Sequence, residues 1–539
     1  MADLTPPLTH PLTPSEPDEA DNGADDTAPG PAAELAGGLA AYRRTREDVE
    51  RQILPLATSV DGLSFHVQAS LHHLELRRGG YVALTSEGRS RLGQLTDLEA
   101  TSIDGGDSVG GMRSTIRIRL AEGRGTVVAG DGKPFHDADV RVATPQEVGE
   151  YVARSRPPRA GLHLGELSAA PGVPAILDSG GLNRHSFLCG QSGSGKTYSL
   201  GLLLERVLAE TTLRVVVLDP NSDYVGLPVL RPDADAELAA RYRRVPAEVA
   251  VWSNDPSADH PLHLRFADLD RATQTAVLDL DPIRDRDEYA FLSELLRARE
   301  DGKPLITGVQ ELLSLEHPGA RGLGLRAGNL GVFDWKIWNP HLPSLVDEIR
   351  TPTTRCTVVD LGSLDTLQEQ RLVARAVLAA LWESRLGRTP CLVVIDEAHN
   401  ICPAEPHDLM TELSTEQTVQ IAAEGRKYGL YLLTSTQRPG KVHEEVVSQC
   451  DNLFLMRMNS RADLADLARL FSFVPEGLMA GATSFRMGQA LVGGKVMPQP
   501  AYVQMGRRVS QEGGADIPTE WASPHELDDA GDVGLTPAG

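Results

Sequence analysis

Long apolar stretches are missing from this chain. Nowhere do 18 consecutive apolar residues occur, which excludes a membrane-spanning helix of ordinary length. The start of the chain also lacks the basic-then-apolar pattern of a secretory signal, so a cytoplasmic location is expected. Cysteine is scarce: there are five in 539 residues, at 189, 356, 391, 402 and 450, and no two form a C-x₂-C pair. That spacing argues against a disulfide framework or a zinc ribbon. Three of the five fall on or beside expected strands, where cysteine serves as a small buried apolar residue. Of 15 scattered histidines, only His72-His73 and His399 invite a metal reading, and no partner spacing supports one.

Positive charge is missing from both ends. Residues 1–40 hold eight carboxylates, residues 511–539 hold seven, and neither stretch has a Lys or Arg. Without those fifteen the formal net charge of −23 falls to −8 for the body. The total decides nothing about nucleic acid, because binding depends on a local basic lining. The Pro-, Asp- and Ala-rich composition of the first 40 residues cannot bury enough surface to order itself, and 511–539 is expected to be a second flexible acidic tail.

What is present begins with Gly190-Gln191-Ser192-Gly193-Ser194-Gly195-Lys196-Thr197, a G-x-x-x-x-G-K-[ST] motif without mismatch. The glycines let consecutive N–H groups turn inward toward phosphate oxygens. Lys196 is expected to reach the β- and γ-phosphates, and the Thr197 hydroxyl to meet Mg²⁺. The flanks agree: Ser186-Phe187-Leu188-Cys189 reads as a short strand, and Tyr198–Leu208 has helical spacing, which sets the phosphates on a helix N-terminus. ATP is the expected ligand.

A second apolar run, Cys391-Leu392-Val393-Val394-Ile395, ends in Asp396-Glu397 and reads as a buried parallel strand. Ligands gather at the ends of such strands. Asp396 is expected in the Mg²⁺ shell and Glu397 as the group that polarises the attacking water. A third strand, Leu430–Thr436, leads into Gln437, placed to sense the γ-phosphate. Upstream, Arg426 ends a helix at Glu424-Gly425-Arg426-Lys427. It is either an arginine finger or a solvated basic residue at a helix C-terminus. Arg355–Leu361 reads as another core strand, with Asp360 near the site or capping a turn.

Elsewhere, short strands separated by Gly/Asp turns (Tyr81–Leu84, Ser114–Leu120, Gly125–Val128) suggest a small barrel over 60–165. The Arg117/Arg119 face of the second reads as solvated rather than as a DNA patch. Thr144-Pro145 looks like a helix start. The core is expected over 175–510; the material between Tyr224 and Thr354 is more than a minimal nucleotide-binding core needs, and it reads as a helical insertion near 255–350 that includes Phe266–Leu280 and Arg286–Leu296. Gln368–Arg385 has the spacing of a long amphipathic helix, and Gly488–Gly494 with Ala501–Met505 that of a closing hairpin.

Four blocks together resemble the signature of the HerA ATPases, in the HerA/FtsK branch of P-loop enzymes. They are Gly190–Thr197, Val394–His399, Glu424–Gly429 and Ser435–Pro439. Asn183-Arg184-His185, Val215–Tyr224 and Ser448–Asn459 fit as well. The resemblance implies a RecA-like P-loop α/β core preceded by a small N-terminal β-barrel. It further implies a homohexamer that moves or unwinds double-stranded DNA with ATP and Mg²⁺, in company with a nuclease of NurA type or another defence effector. By the same resemblance Arg426 is the arginine that completes a neighbour's site, and Arg184 is a second arginine near the phosphates. The family often has His-Gly-Glu where this chain has Asn221-Ser222-Asp223, so the role of Asp223 stays open. The alternative function is a nucleotide-gated ring scaffold that activates a partner without moving DNA. A conjugative or chromosome pump fits less well, given no membrane segment.

Overall fold

The computed structural model describes residues 53–513 except 72–74, 110–111, 156–159 and 301–307, together with helical residues between 37 and 50. The two acidic tails, apart from those few residues at their inner ends, and the His72-His73 pair lie outside the described residues, as do the side chains of Arg117 and its neighbours. By internal contacts the chain divides into two units. One comprises 1–54, 69–73 and 100–120; in it the Glu50 carboxylate accepts a hydrogen bond from the Arg119 amide (3.0 Å). The other comprises the rest and holds the sites discussed below.

Six antiparallel strands close into a barrel: β1 (Leu56–Ser59), β2 (Ser64–Ser70), β3 (Tyr81–Ser86), β4 (Arg89–Val109), β5 (Met112–Ala129) and β6 (Phe135–Val142), in the order β1-β2-β5-β4-β3-β6. In β2 the period-2 pattern turns Phe65, Val67 and Ala69 inward. The Phe65 ring packs against two glycines, Gly93 of β4 and Gly125 of β5, at positions where any Cβ would collide with it. This accounts for a departure from expectation. The stretch around Gly123 reads as a turn between two strands, yet β5 runs unbroken, because Gly123 makes room for Val67 as Gly125 does for Phe65.

Helix α1 (Pro145–Arg154) starts at Thr144 with a capping box to Glu147. A twelve-stranded mixed sheet then forms from β7 (Gly161–Leu167), β8 (Pro174–Asp178), β9 (His185–Cys189), β10 (Arg214–Asp219), β11 (Val249–Ser253), β12 (His260–Pro261), β13 (Cys356–Asp360), β14 (Cys391–Ile395), β15 (Leu430–Thr436), β16 (Cys450–Leu455), β17 (Gln489–Gly494) and β18 (Ala501–Met505). Its order is β12-β11-β13-β10-β14-β15-β9-β16-β17-β18-β7-β8. The strands from β12 to β16 run parallel, and the remainder are antiparallel. β17 and β18 form the expected hairpin.

The central strands are apolar on both faces because both are covered. Val215 and Val217 of β10 pack into one core, which includes Leu200 and Leu204 of α2 (Lys196–Glu210). Val216 and Leu218 pack into the other, with Val373 and Val377 of α3 (Leu367–Glu383). All five cysteines are free and buried. Among the described residues no helix is long and apolar enough to cross a membrane.

Three boundaries differ from the sequence reading. β7, placed with the barrel, pairs with β18 of the large sheet. β11, placed with extra material beyond the core, pairs in parallel with β13. Phe266–Leu280 is not one helix: Asp270 accepts from the Thr273 amide (3.0 Å), caps a new start and leaves a 3₁₀ turn before Arg271–Val277. The segment is otherwise helical as expected, with Arg286–Glu300 and Pro318–Leu330.

Phe65→Ala would open a cavity over two bare glycines that cannot close it. Chemical denaturation should show a loss of about 3–5 kcal/mol, the usual range for a buried Phe truncation.

Candidate functional site

Strand register sets the level of the site. Asp219 pairs with Asp360 and Leu218 with Ile395, so Asp219, Asp360 and Asp396 emerge at one height at the C-terminal ends of β10, β13 and β14. Cys189 pairs with Thr436, which brings the loop after β9 level with the end of β15. Parallel strands therefore deliver the glycine loop and the carboxylates to one crevice.

The loop Gly190–Gly195 turns through two left-handed glycines, Gly193 (φ +70°) and Gly195 (φ +89°), where a side chain would strain the backbone. Gly190 lies against Met456, with no room for a Cβ. The loop is braced from outside: the Gln191 amide donates to the Arg457 carbonyl (3.0 Å), and Arg457 Nη2 donates to the Gly193 carbonyl (3.1 Å). Lys196 opens α2 and is only 4% exposed. Its ammonium donates to Asp396 Oδ1 (2.7 Å) and Ser435 Oγ (3.2 Å) and lies 3.1 Å from Glu397 Oε1. Burial alone would lower the Lys196 pKa, but the two carboxylates more than offset it, and the group ends above its ordinary value. Thr197 follows at the second position of α2, half-buried.

Glu397 sits in a left-handed conformation (φ +42°) that a non-glycine residue seldom adopts, and this directs its side chain back into the crevice. Gln437 Nε2 donates to its Oε1 (3.0 Å). Its Oε2 is buried without a hydrogen bond, although His399 Nδ1 stands 3.3 Å away and also meets Thr436 Oγ1 (3.1 Å). Ser194 Oγ is likewise buried and unbonded. A lysine turned onto carboxylates, two orphaned oxygens and a glycine loop that leads into the N-terminus of α2 fit a triphosphate with a divalent cation, which would take over the carboxylates and free the ammonium for phosphate.

Behind this crevice lies an acidic turn. Tyr224, fully buried, donates its hydroxyl to Asp396 Oδ2 (3.1 Å). Asp219 accepts from the Asp223 and Tyr224 amides (3.0 and 2.8 Å). Burial pushes Asp219 up to about 7 despite those bonds. Asp223 rises to about 6 through burial and then the nearby Asp396 charge. Asp360 accepts from Ser222 Oγ and Ser253 Oγ (both 2.6 Å), a role in holding the turn rather than in facing the crevice.

Arg184 and Arg426 are brought together, but not with the loop. Arg426 Nη1 lies 2.9 Å from Asp451 Oδ2, and Arg184 Nε lies 3.7 Å from the same oxygen. Arg184 precedes β9, Arg426 precedes β15, and Asp451 is the second residue of β16. All three therefore stand at the N-terminal ends of strands whose C-terminal ends carry the glycine loop and Gln437. β9 alone has five residues, a separation of about 17 Å at roughly 3.3 Å per residue. Arg426 keeps 32% of its side-chain surface exposed and Arg184 keeps 42%.

Sequence reasoning missed Ser435 and Arg457 as parts of the site, and it took His399 only as a weak metal candidate. The Lys196–Ser435 contact spans 239 residues, and no local pattern announces it. Tyr224 had a usable signal in its place five residues after the Asp219 strand end.

Fold and crevice together define a P-loop ATPase with a RecA-like sheet, in which β15 lies between the loop strand β9 and the carboxylate strand β14. Residues 162–316 match the family model of the central domain of the helicase HerA. The chain is 22% identical over 503 residues to the DNA double-strand break repair helicase HerA of Sulfurisphaera tokodaii, covering 85% of this chain and 95% of that one. It is 24% identical over 411 residues to the HerA of Pyrococcus furiosus, covering 64% and 69%. Among solved structures it is similar to VirB4 of Thermoanaerobacter pseudethanolicus, with a TM-score of 0.44, 16% identity, and coverage of 65% and 97%. Over most of its length this P-loop ATPase is therefore distantly similar to the helicases named HerA.

Two outcomes follow for the crevice. Glu397→Gln should retain nucleotide binding while turnover falls at least about 10²-fold, the contribution of a positioned base; binding and steady-state hydrolysis measured on one preparation separate the two. The acidic turn sets a pH dependence. An ordinary Asp near 3.8 ionises in the unfolded chain before Asp219 does in the fold, so the Asp219 contribution is complete below that value and is lost as pH rises through about 7. Asp219→Asn should accordingly flatten the fall in the melting temperature of the nucleotide-free protein between about pH 5 and about pH 7.5.

Proposed function

We propose that this chain is a Mg²⁺-dependent ATPase that works as a homohexameric ring and moves along or unwinds double-stranded DNA, together with a nuclease of NurA type or another defence effector. The observation that carries the ring is the placement of Arg184 and Arg426. They are exposed at the end of the sheet opposite their own glycine loop, where they serve a crevice only if it belongs to a neighbouring copy. A head-to-tail contact of this kind generates a ring when its rotation closes. Duplex DNA as the substrate is supported by relatives named as DNA double-strand break repair helicases.

In this reading the glycine loop and the first turn of α2 cradle the phosphates, and Lys196 leaves Asp396 for the β- and γ-oxygens. Thr197 and Asp396 hold the Mg²⁺, which when bound neutralises triphosphate charge. Glu397 orients the attacking water through its unbonded Oε2, and Gln437 keeps the other oxygen in place and reports on the γ-phosphate. The neighbour's Arg426 stabilises charge on the transferring phosphoryl group, and Arg184 supports it.

The test is complementation. Arg426→Ala assembled alone should lose at least about 10²-fold in turnover, in line with the contribution of an arginine finger. Mixed with Glu397→Gln protomers it should regain activity, because some interfaces then combine an intact glutamate with an intact arginine. Adding duplex DNA to the wild type should raise hydrolysis and lead to displacement of a bound roadblock. Wild-type turnover by Arg426→Ala would remove the finger, and hydrolysis indifferent to DNA would favour a nucleotide-gated scaffold instead.

A further inference from the structure

The helix that follows the glycine loop carries a feature its phosphate chemistry does not use. On one face of α2, Tyr198, Gly201 and Glu205 are spaced i, i+3, i+7 and grip the segment after β18. The Arg508 amide donates to Tyr198 Oη (2.8 Å), and the Arg508 guanidinium lies across Gly201, where a Cβ would overlap its Cζ. Glu205 is wholly buried. It accepts from Arg508 Nε (3.3 Å), the Val509 amide (2.9 Å), the Ser510 amide (2.8 Å) and Ser510 Oγ (2.5 Å). A glycine inside a helix is otherwise unfavourable, and here it makes the seat for an arginine.

The same segment continues onto the acidic turn. The Gln511 amide donates to the Val229 carbonyl (2.8 Å), the Arg231 amide to the Val509 carbonyl (2.9 Å), and the Gly513 amide to the Asp223 carbonyl (3.0 Å). Gly513 is so close that a Cβ would overlap the Ser222 carbonyl. From Asp223 the contacts pass to Tyr224, whose hydroxyl holds Asp396, which in turn holds Lys196 at the start of α2. The loop of contacts is closed.

We propose that residues 508–513 are a strap that positions the Asp396 carboxylate for ATP hydrolysis, with Glu205, Arg508 and Gly513 as positioning residues and Tyr224 as the relay. The strap ties the phosphate-binding helix to the acidic turn, so the cradle and the metal-side carboxylate keep one spacing. This rests on the ATPase reading above.

Two variants address opposite ends of the strap: Gly201→Ala evicts the Arg508 guanidinium, and Gly513→Val pushes the acidic turn. Both should lower kcat at least about tenfold, as misplacement of a catalytic group does. They should raise the Mg²⁺ concentration needed for half-maximal turnover and leave metal-free ATP affinity within about twofold, since the amide cradle is untouched. Combined with Tyr224→Phe, Gly513→Val should add no further loss, because both act on one relay. Gly201→Ala decides the matter if Gly513→Val does not fold, since alanine favours the helix. Wild-type turnover and Mg²⁺ dependence in Gly201→Ala, or losses that add with Tyr224→Phe, would overturn the strap. A wild-type protein that hydrolyses no ATP would overturn the reading beneath it.

Discussion

The contact on which the rest depends is the buried ammonium of Lys196 between Asp396 and Glu397. A charge so enclosed is tolerable only when paired and hydrogen-bonded, and its partners come from a strand two places away in the sheet. β15 fills the intervening place and supplies Ser435 as the third ligand. Three parallel strands must therefore end at one level, and their apolar bodies, buried on both faces, hold that register. The ion pairs also hold the crevice in readiness. In the proposed reading, phosphate oxygens and a cation would exchange with groups already paired, so the lysine would not pass through an unpaired buried state.

The sheet is polar in a functional sense as well. One end carries the glycine loop, Asp396, Glu397 and Gln437. The other carries Arg184, Arg426 and Asp451. The shared Asp451 holds both guanidinium groups at a partly exposed edge, where exposed ion pairs contribute little to stability. In the proposed ring this arrangement keeps two cations aimed at one place. His185, between them at the start of β9, is kept neutral: burial lowers it to about 4, and its Nδ1 accepts from the Leu432 amide (2.8 Å). A third positive charge beside the two arginines is thereby avoided.

Much of this was legible in the sequence, for physical reasons. The glycine loop demands glycines at fixed spacing, and an apolar β-branched run ending in two carboxylates has few uses. Local signals, namely the Thr144-Pro145 start and the Gln368–Arg385 periodicity, matched the helices observed. What failed was reading glycine. Gly123 read as part of a turn and proved to be room for Val67. Gly201 carried no message until Arg508, 307 residues away in sequence, was found lying on it. A glycine reports that a Cβ is unwelcome, not whether the cause is a φ angle or a neighbour. β11 was lost to the core for a related reason: membership of a sheet is a pairing with β13, and five residues carry no sign of their partner.

The acidic turn shows why distant segments matter to a site whose motifs are local. Asp219, Asp223 and Asp396 crowd together, and burial with mutual repulsion raises the first two toward neutrality. Left to itself such a turn would swing outward to hydrate its carboxylates. It is held by Tyr224 on one side, by Ser222 on Asp360 beneath, and by Gly513 from the end of the described chain. The partners of these restraints, Asp396, Asp360 and Gly513, come from three different parts of the sequence.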